Sequence, residues 1–197
     1  LNGYMLWGNT LSLANGAAGY RHTCLTNGVP GGTVDVNTLI IGNGQELSYV
    51  TLANTAVILR GGGTNYDNRS TNNTVFLMTN NCTMTLTPTG GVCNLDSGSK
   101  DRNSVSLDPA DWNNNFALDV IRIDSNSTVT LTGTANIEGG GTNAVYATSI
   151  DGLGPGATLV LNGHNVYLKK RANNITVDRT GGGKLYQAQA GTVVLIR

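Results

Sequence analysis

The sequence contains a recurring unit in which a short apolar strand, a small polar turn and a second strand follow one another. The clearest copy runs from Asp119-Val-Ile-Arg-Ile through the turn Asp124-Ser-Asn-Ser to Thr128-Val-Thr-Leu-Thr. A second copy ends in Thr83-Met-Thr-Leu-Thr, and a third ends in Ala157-Thr-Leu-Val-Leu. Because repeats of this kind bury their apolar faces by stacking on one another, this pattern constrains the fold more than any other feature.

The unit has the residue preferences of β-strands joined by tight turns. Apolar, often β-branched residues alternate with polar ones at period two, whereas Gly and Asn, which adopt positive φ readily, occupy the turns. We therefore predict an all-β protein, a parallel β-helix (β-solenoid) of about five irregular coils, in which matching Thr and Asn form ladders. The alternative that the pattern leaves open is an antiparallel β-sandwich or jelly roll.

The coils resemble right-handed parallel β-helices, a class that includes pectin-lyase-like enzymes, phage tail-spikes and secreted adhesin passengers. The resemblance lies in the strand–turn–Thr-x-Thr-Leu-Thr-Gly units and covers roughly residues 45 to 197, without the signature of a particular family. Residues 1–45 fit the repeat less well, and we predict that they form an N-terminal cap or first coil. Residues 46–197 are then the solenoid, with a long loop at 90–116.

Composition and charge exclude several classes of function. Gly, Asn and Thr make up about two-fifths of the chain, charged residues make up 12%, and the net charge is zero. A nucleic-acid-binding protein needs a basic surface, and no stretch reaches the ~18 apolar residues of a membrane helix. Phosphate-loop and metal-ligand spacings are also missing from the sequence. We predict no nucleic-acid partner, no membrane span, no cofactor and no metal.

One pair of carboxylates is a candidate for catalysis. Aligning 117–124 on 144–151 puts Asp124 and Asp151 at the same place on successive coils. Since stacked strands lie about 4.8 Å apart, two such carboxylates are suited to glycoside hydrolysis. The competing interpretation, which we favour, is that each Asp begins a turn and accepts a hydrogen bond from its own backbone. The sequence therefore leans away from an enzyme.

The loop at 90–116 provides a second, weaker candidate. Its Trp112, Asp108 and Asp111 have the side chains that bind carbohydrate through ring stacking and hydrogen bonds. These three residues are therefore candidates for binding surface glycans. Trp7 and Tyr186 are further aromatic side chains with the same potential.

The cysteines suggest a disulfide and so an extracellular protein, and the sequence also contains glycosylation sequons. Cys82 and Cys93 flank a short segment and predict a disulfide in an oxidising compartment, which leaves Cys24 over. Sequons begin at Asn68, Asn72, Asn81, Asn126 and Asn174. Their number is what chance gives in a chain so rich in Asn, Ser and Thr, so they are glycosylation candidates without being evidence for glycans.

The segment Thr192-Val-Val-Leu-Ile-Arg197 is an apolar strand with no later residue to cover its edge. An exposed apolar edge recruits another strand, so either this sequence is a fragment of a longer chain or a neighbouring copy covers the edge, by end-to-end association or strand addition. The sequence thus predicts an extracellular structural or adhesive β-solenoid subunit, on a cell or virion surface, that assembles with copies of itself into a fibre or coat. The alternative is a polysaccharide-degrading glycoside hydrolase or lyase similar to phage tail-spikes.

Overall fold

The computed structural model describes residues 5–13, 23–27, 31–42, 48–69, 76–102, 112, 115–133, 142–189 and 192–196. All elements with defined bounds are β-strands. In chain order they are β1 (Met5–Leu13), β2 (Thr23–Asn27), β3 (Thr33–Ile41), β4 (Ser48–Leu52), β5 (Ala56–Leu59), β6 (Thr64–Asn68), β7 (Phe76–Leu86), β8 (Val92–Asp96), β9 (Ser99–Lys100), β10 (Leu118–Ile123), β11 (Thr128–Leu131), β12 (Asn143–Gly152), β13 (Thr158–Val160), β14 (Asn165–Leu168), β15 (Ala172–Asn173), β16 (Thr176–Asp178), β17 (Leu185–Gln189) and β18 (Thr192–Ile196).

The strands stack in three lines of parallel pairing, which we call the first, second and third faces. The first face contains the start of β1 and β3, then β5, the end of β7, β10, the end of β12, and β15. The second contains the end of β1 and β3, then β6, β8, β11, β13 and β16. The third contains β2, β4, the starts of β7, β10 and β12, and then β14 and β17. This coiled path confirms the predicted parallel β-helix and excludes the antiparallel sandwich.

The core lies inside the coils and is built from columns of matched apolar side chains. One column on the first face joins Val34, Val57, Met84, Ile121 and Ile150 through successive registers. Each of these side chains is at most 2% exposed. Period-two alternation sends every second residue of a strand inward, and burial of each large apolar side chain contributes roughly 1.5–3 kcal/mol.

The turns between faces use Asn and Gly as the sequence predicts. Asn54, Asn81 and Asn126 have φ of 50°, 53° and 54°, a left-handed conformation that Asn tolerates better than most residues. The Asn81 Nδ2 donates to Asn54 Oδ1 on the neighbouring coil at 3.0 Å. Side chains at equivalent turns therefore stack in a ladder, which helps to fix the register of the coils.

The C-terminal strand β18 breaks the parallel pattern. It is antiparallel to β17, with Leu185 opposite Ile196 and Gln189 opposite Thr192. The strand folds back on β17, and no described strand pairs with its other edge, so the uncovered edge that the sequence predicts stays a prediction. A turn-back strand of this kind ends a parallel stack, because it changes the hydrogen-bonding pattern that the next coil would need.

The stretch 90–116 is not the single long loop that the sequence predicts. Val92–Asp96 forms β8, which pairs in parallel with β6 and β11 and so belongs to the second face. The short β9 then pairs antiparallel with the start of β12. Gly90 and Gly91, at the start of the stretch 90–116, belong to the predicted loop, but in the structure they form the corner before β8.

Candidate functional site

Strand β1 is the first described strand of the stack and carries the two most exposed large apolar side chains among the residues that the structure describes. It pairs in parallel with β3 from Met5 opposite Thr33 to Leu13 opposite Ile41, and β3 is its only paired strand among those the structure describes. Met5 is 57% exposed and Trp7 is 79% exposed. A nine-residue strand with one described neighbour and an exposed tryptophan is the part of the described surface best suited to bind another strand.

The outer side of the third face carries a stack of aromatic rings, the tyrosine ladder, formed by Tyr146, Tyr167 and Tyr186. Successive ring centroids lie 4.7 and 5.0 Å apart, with interplanar angles of 19° and 6°. Trp112 meets Tyr146 edge-on at 5.2 Å, and Lys169 Nζ lies 4.8 Å from the centroid of the Trp112 ring. Such contacts add roughly 0.5–1.5 kcal/mol per aromatic pair beyond burial.

Asp101 fastens its segment of chain to the tyrosine ladder. The Tyr167 hydroxyl donates to Asp101 Oδ1 at 2.7 Å, and Asn165 Nδ2 donates to Asp101 Oδ2 at 2.7 Å. Burial, followed by the hydrogen bond to Asp101, raises the pKa of the Tyr167 phenol. Burial also lowers the pKa of the Lys169 ammonium. The tyrosine ladder thus binds Asp101 and its neighbours in the chain to the outer side of the third face.

The proposed carbohydrate contacts in this segment are not supported. Trp112 is only 1% exposed, because it is packed between Tyr146 and Lys169, so its ring faces offer no platform for a sugar. Asp108 and Asp111 lie outside the described residues. Tyr186, at the end of the ladder, is partly exposed, but one of its faces already stacks on Tyr167.

The candidate catalytic pair rests on a wrong register. In the structure Asp151 is opposite Arg122, and Ile123 is opposite Gly152, so Asp124 and Asp151 do not share a position on successive coils. Asp124 Oδ1 accepts a hydrogen bond from the Ser125 N–H at 2.8 Å, as the turn interpretation requires. Asp151 Oδ1 accepts from Asn173 Nδ2 at 2.6 Å. Asp151 lies inside β12 and accepts from a side chain of the neighbouring coil, so the turn interpretation holds for Asp124 alone. The paired arrangement that motivated glycoside hydrolysis is missing.

A stacked carboxylate pair occurs elsewhere, at a place that the sequence analysis missed. Asp67 and Asp96 are opposite each other on β6 and β8, and they are 4% and 0% exposed. Arg69 Nε donates to Asp67 Oδ2 at 2.7 Å, while Asp96 Oδ1 accepts from the Gly98 N–H at 3.0 Å. Each Asp directly follows a large apolar residue, Tyr66 or Leu95, and this recurrence was the available signal. Because both side chains are buried, a polymeric substrate does not reach them.

The predicted disulfide is absent. Cys82 and Cys93 are free thiols, and both are 2% exposed. Cys82 lies in β7 next to the residues of the first face, whereas Cys93 lies in β8 on the second face opposite Val129. The two residues therefore belong to different sides of one coil. Burial raises the pKa of each thiol to about 12, which keeps both protonated and unreactive. Cys24 is in β2, where side chains are not described.

The sequons differ in exposure. Asn68 is buried, with its Nδ2 donating to the Ser97 carbonyl at 3.0 Å, so it is not accessible to a glycosylating enzyme in the folded chain. Asn81, Asn126 and Asn174 are exposed at turns with positive φ. Asn72 lies outside the described residues. Three of the five predicted acceptors therefore remain accessible candidates.

Comparison with known proteins assigns no family. None of the protein-family models matches the sequence, and no curated protein or solved structure is significantly similar to it. Within the part of the chain that the structure describes, no three His, Cys, Asp or Glu side chains are grouped to hold a metal ion. The same residues contain no helix with the length and apolarity needed to cross a membrane.

Proposed function

We propose that the protein is an extracellular structural or adhesive subunit, on a cell or virion surface, that associates with copies of itself through β1. The observation that carries this proposal is the exposure of Trp7 and Met5 on a strand with a single described neighbour. Most apolar side chains on the other strands of the stack point into the core. A strand edge with a large exposed aromatic ring is a site where a second copy gains both hydrogen bonds and buried apolar area.

The surface chemistry of the chain is compatible with association between copies. The net charge is zero and only 12% of residues are charged, so little electrostatic repulsion opposes the approach of one copy to another. The general resemblance to adhesin passengers and tail-spikes supports a location outside the cell. The free state of Cys82 and Cys93 removes the disulfide argument for that location, so the resemblance alone supports it.

The residues that suggested a polysaccharide-degrading enzyme do not form a catalytic pair in the structure. Asp124 and Asp151 are separated by register, and the stacked Asp67 and Asp96 are buried. We therefore keep the structural subunit as the single proposed function.

The test is the molar mass of the wild-type protein and of Trp7→Ser, measured by light scattering over a wide range of concentration. We expect the wild type to associate and Trp7→Ser to associate at least about 30-fold more weakly, as for a buried aromatic anchor that contributes about 2 kcal/mol or more. A wild type that stays monomeric at the highest concentration contradicts the proposal.

The matched control variants are Val92→Ser and Leu153→Ser. These side chains are 55% and 51% exposed, so they resemble Met5 in exposure, but they lie in the middle of the stack and away from β1. We expect both variants to associate like the wild type. Equal weakening by all three substitutions would mean that general surface stickiness, and not β1, drives association.

A further inference from the structure

We infer that two copies join head to head, with the β1 strands antiparallel about a two-fold axis between Asn9 and Thr10. This inference rests on the proposed function and adds the partner, the register and the symmetry. A strand that pairs with itself about a two-fold axis gives an isologous interface, which closes at two copies.

The register follows from the inward positions of β1. Leu6 and Gly8 are opposite the buried Val34 and Val36 on the first face. Leu11 and Leu13 are opposite the buried Leu39 and Ile41 on the second face. The inward positions thus change from even to odd residue numbers between residues 8 and 11, where β1 turns the corner between the two faces.

Only a narrow set of antiparallel registers brings inward residues opposite inward residues across this corner. With the axis between Asn9 and Thr10, Gly8 of one copy is opposite Leu11 of the other, and pairing over residues 7–12 needs no open edge at Leu13, which is already buried. Outward residues also match, since Trp7 is then opposite Ser12. Directly opposed residues of an antiparallel pair point to the same side of the sheet, so the two cores become continuous and Trp7 packs along the joint.

The corner makes this two-fold axis geometrically consistent. An axis perpendicular to the stack and through the corner exchanges the first face of one copy with the second face of the other. The start of β1 in one copy therefore lies against the end of β1 in its partner, as the register requires. The partly exposed Leu6 and Leu11, which have no coil above them among the described residues, gain apolar neighbours.

The opposite end of the stack is less suited to accept β1. There the third face is covered by β18, which is antiparallel to β17. The first and second faces end in β15 and β16, which have only two and three residues. A head-to-tail stack would place the nine-residue β1 on these short strands and bring β2 of the next copy against β18. The head-to-head arrangement avoids both problems.

Disulfide trapping tests the register. Asn9→Cys and Thr10→Cys proteins, mixed under mild oxidation, place the two new thiols opposite each other across the proposed axis. We expect most chains to form a covalent dimer that contains one copy of each variant. The wild type, which has Cys24, Cys82 and Cys93, gives the background. As a matched control, Ser125→Cys alone, at an exposed turn, gives no dimer above that background.

A second mixture tests the head-to-tail alternative. Asp178 lies on β16, on the second face that begins with the end of β1, so Thr10→Cys and Asp178→Cys cross-link if copies stack head to tail. That result overturns the head-to-head inference but leaves self-association intact. Association without a cross-link in either mixture also overturns the inference. A protein that neither cross-links nor associates overturns the proposed function as well.

Discussion

The two ends of this solenoid finish the same parallel stack in different ways. At one end β1 runs along two faces as a nine-residue strand, with β3 as its one described partner and with Trp7 exposed. At the other end β17 is covered by the antiparallel β18, and the neighbouring faces taper to the short β15 and β16. Among the described residues, the first end thus retains a nine-residue edge, whereas the second presents the five-residue β18, which is antiparallel to the stack.

The difference shows how an unequal pair of ends limits assembly. A stack with two long, complementary edges extends without limit, because each added copy presents a new edge. A stack with one long edge and one turned-back strand is expected to stop at two copies. We therefore expect a closed dimer and not an endless fibre, and such a dimer can be the building unit of a coat.

The largest expected effect is a loss of stability. It compares a core position in the middle of the stack with one in β1. Leu131→Ala removes a side chain that is 1% exposed, so we expect a loss of about 2–5 kcal/mol in the free energy of unfolding. Leu6→Ala removes a partly exposed side chain and should cost less than about 2 kcal/mol in the monomer. Urea unfolding at low protein concentration measures both. Equal losses would show that the N-terminal end is already closed within one copy.

A glycine in the connection to β17 tests the second end. Gly183 has φ of +88°, and an added Cβ would lie 2.3 Å from the His164 carbonyl oxygen. We expect Gly183→Ala to lower the free energy of unfolding by about 1–3 kcal/mol, because both the backbone conformation and the space oppose a side chain. Gly63→Ala is the matched control, since no atom lies within 4 Å of its Cβ position. If thermal unfolding is unchanged in Gly183→Ala, the second end is not packed as described.

The smallest expected effect is a change of stability with pH, caused by two buried cysteines in the middle of the stack. The middle is the reference with which both ends are compared. The pKa of Cys82 and Cys93 is raised by burial to about 12 from an ordinary value of 9.0. Above pH 9 the unfolded chain loses these protons while the folded chain keeps them, so stability falls as pH rises. We expect a loss of about 1 kcal/mol per thiol between pH 9 and 10.

Denaturant unfolding at pH 8, 9 and 10 measures this slope. In the Cys82→Ala, Cys93→Ala double variant the slope should be much smaller over the same interval, although the variant is less stable at every pH. An unchanged slope in the double variant would mean that the thiols are accessible to solvent in the folded protein and that the middle of the stack is open.

The architecture was predictable because it depends on local patterns. Period-two alternation identified strands such as β11, and Asn at positive φ marked turns such as those at Asn81 and Asn126. The register between coils was not predictable in the same way. Aligning Asp124 with Asp151 shifted the coil by two residues, and a two-residue shift leaves every side chain on its original face. The alternation therefore accepts both registers, and the structure has Ile121, not Ile123, opposite Ile150.

Features that depend on contacts between distant segments were also beyond the sequence. The short spacing of Cys82 and Cys93 suggested a disulfide, but a coil corner between them separates the two thiols onto different faces. Trp112 had the side chain of a carbohydrate-binding residue, yet packing against Tyr146 buries it. The Val-Tyr pairs that contain Tyr146 and Tyr167 were a usable signal for the tyrosine ladder, since they recur at the same place in successive coils.

Hydrogen–deuterium exchange as a function of protein concentration tests the difference between the two ends most directly. Amide exchange is followed in β1 and in β18 at concentrations well below and well above the midpoint of association. We expect exchange to slow in residues 5–13 on association, because a second β1 binds the long edge. Exchange in residues 192–196 should stay unchanged. Slower exchange in residues 192–196, or no change in residues 5–13, would contradict this expectation.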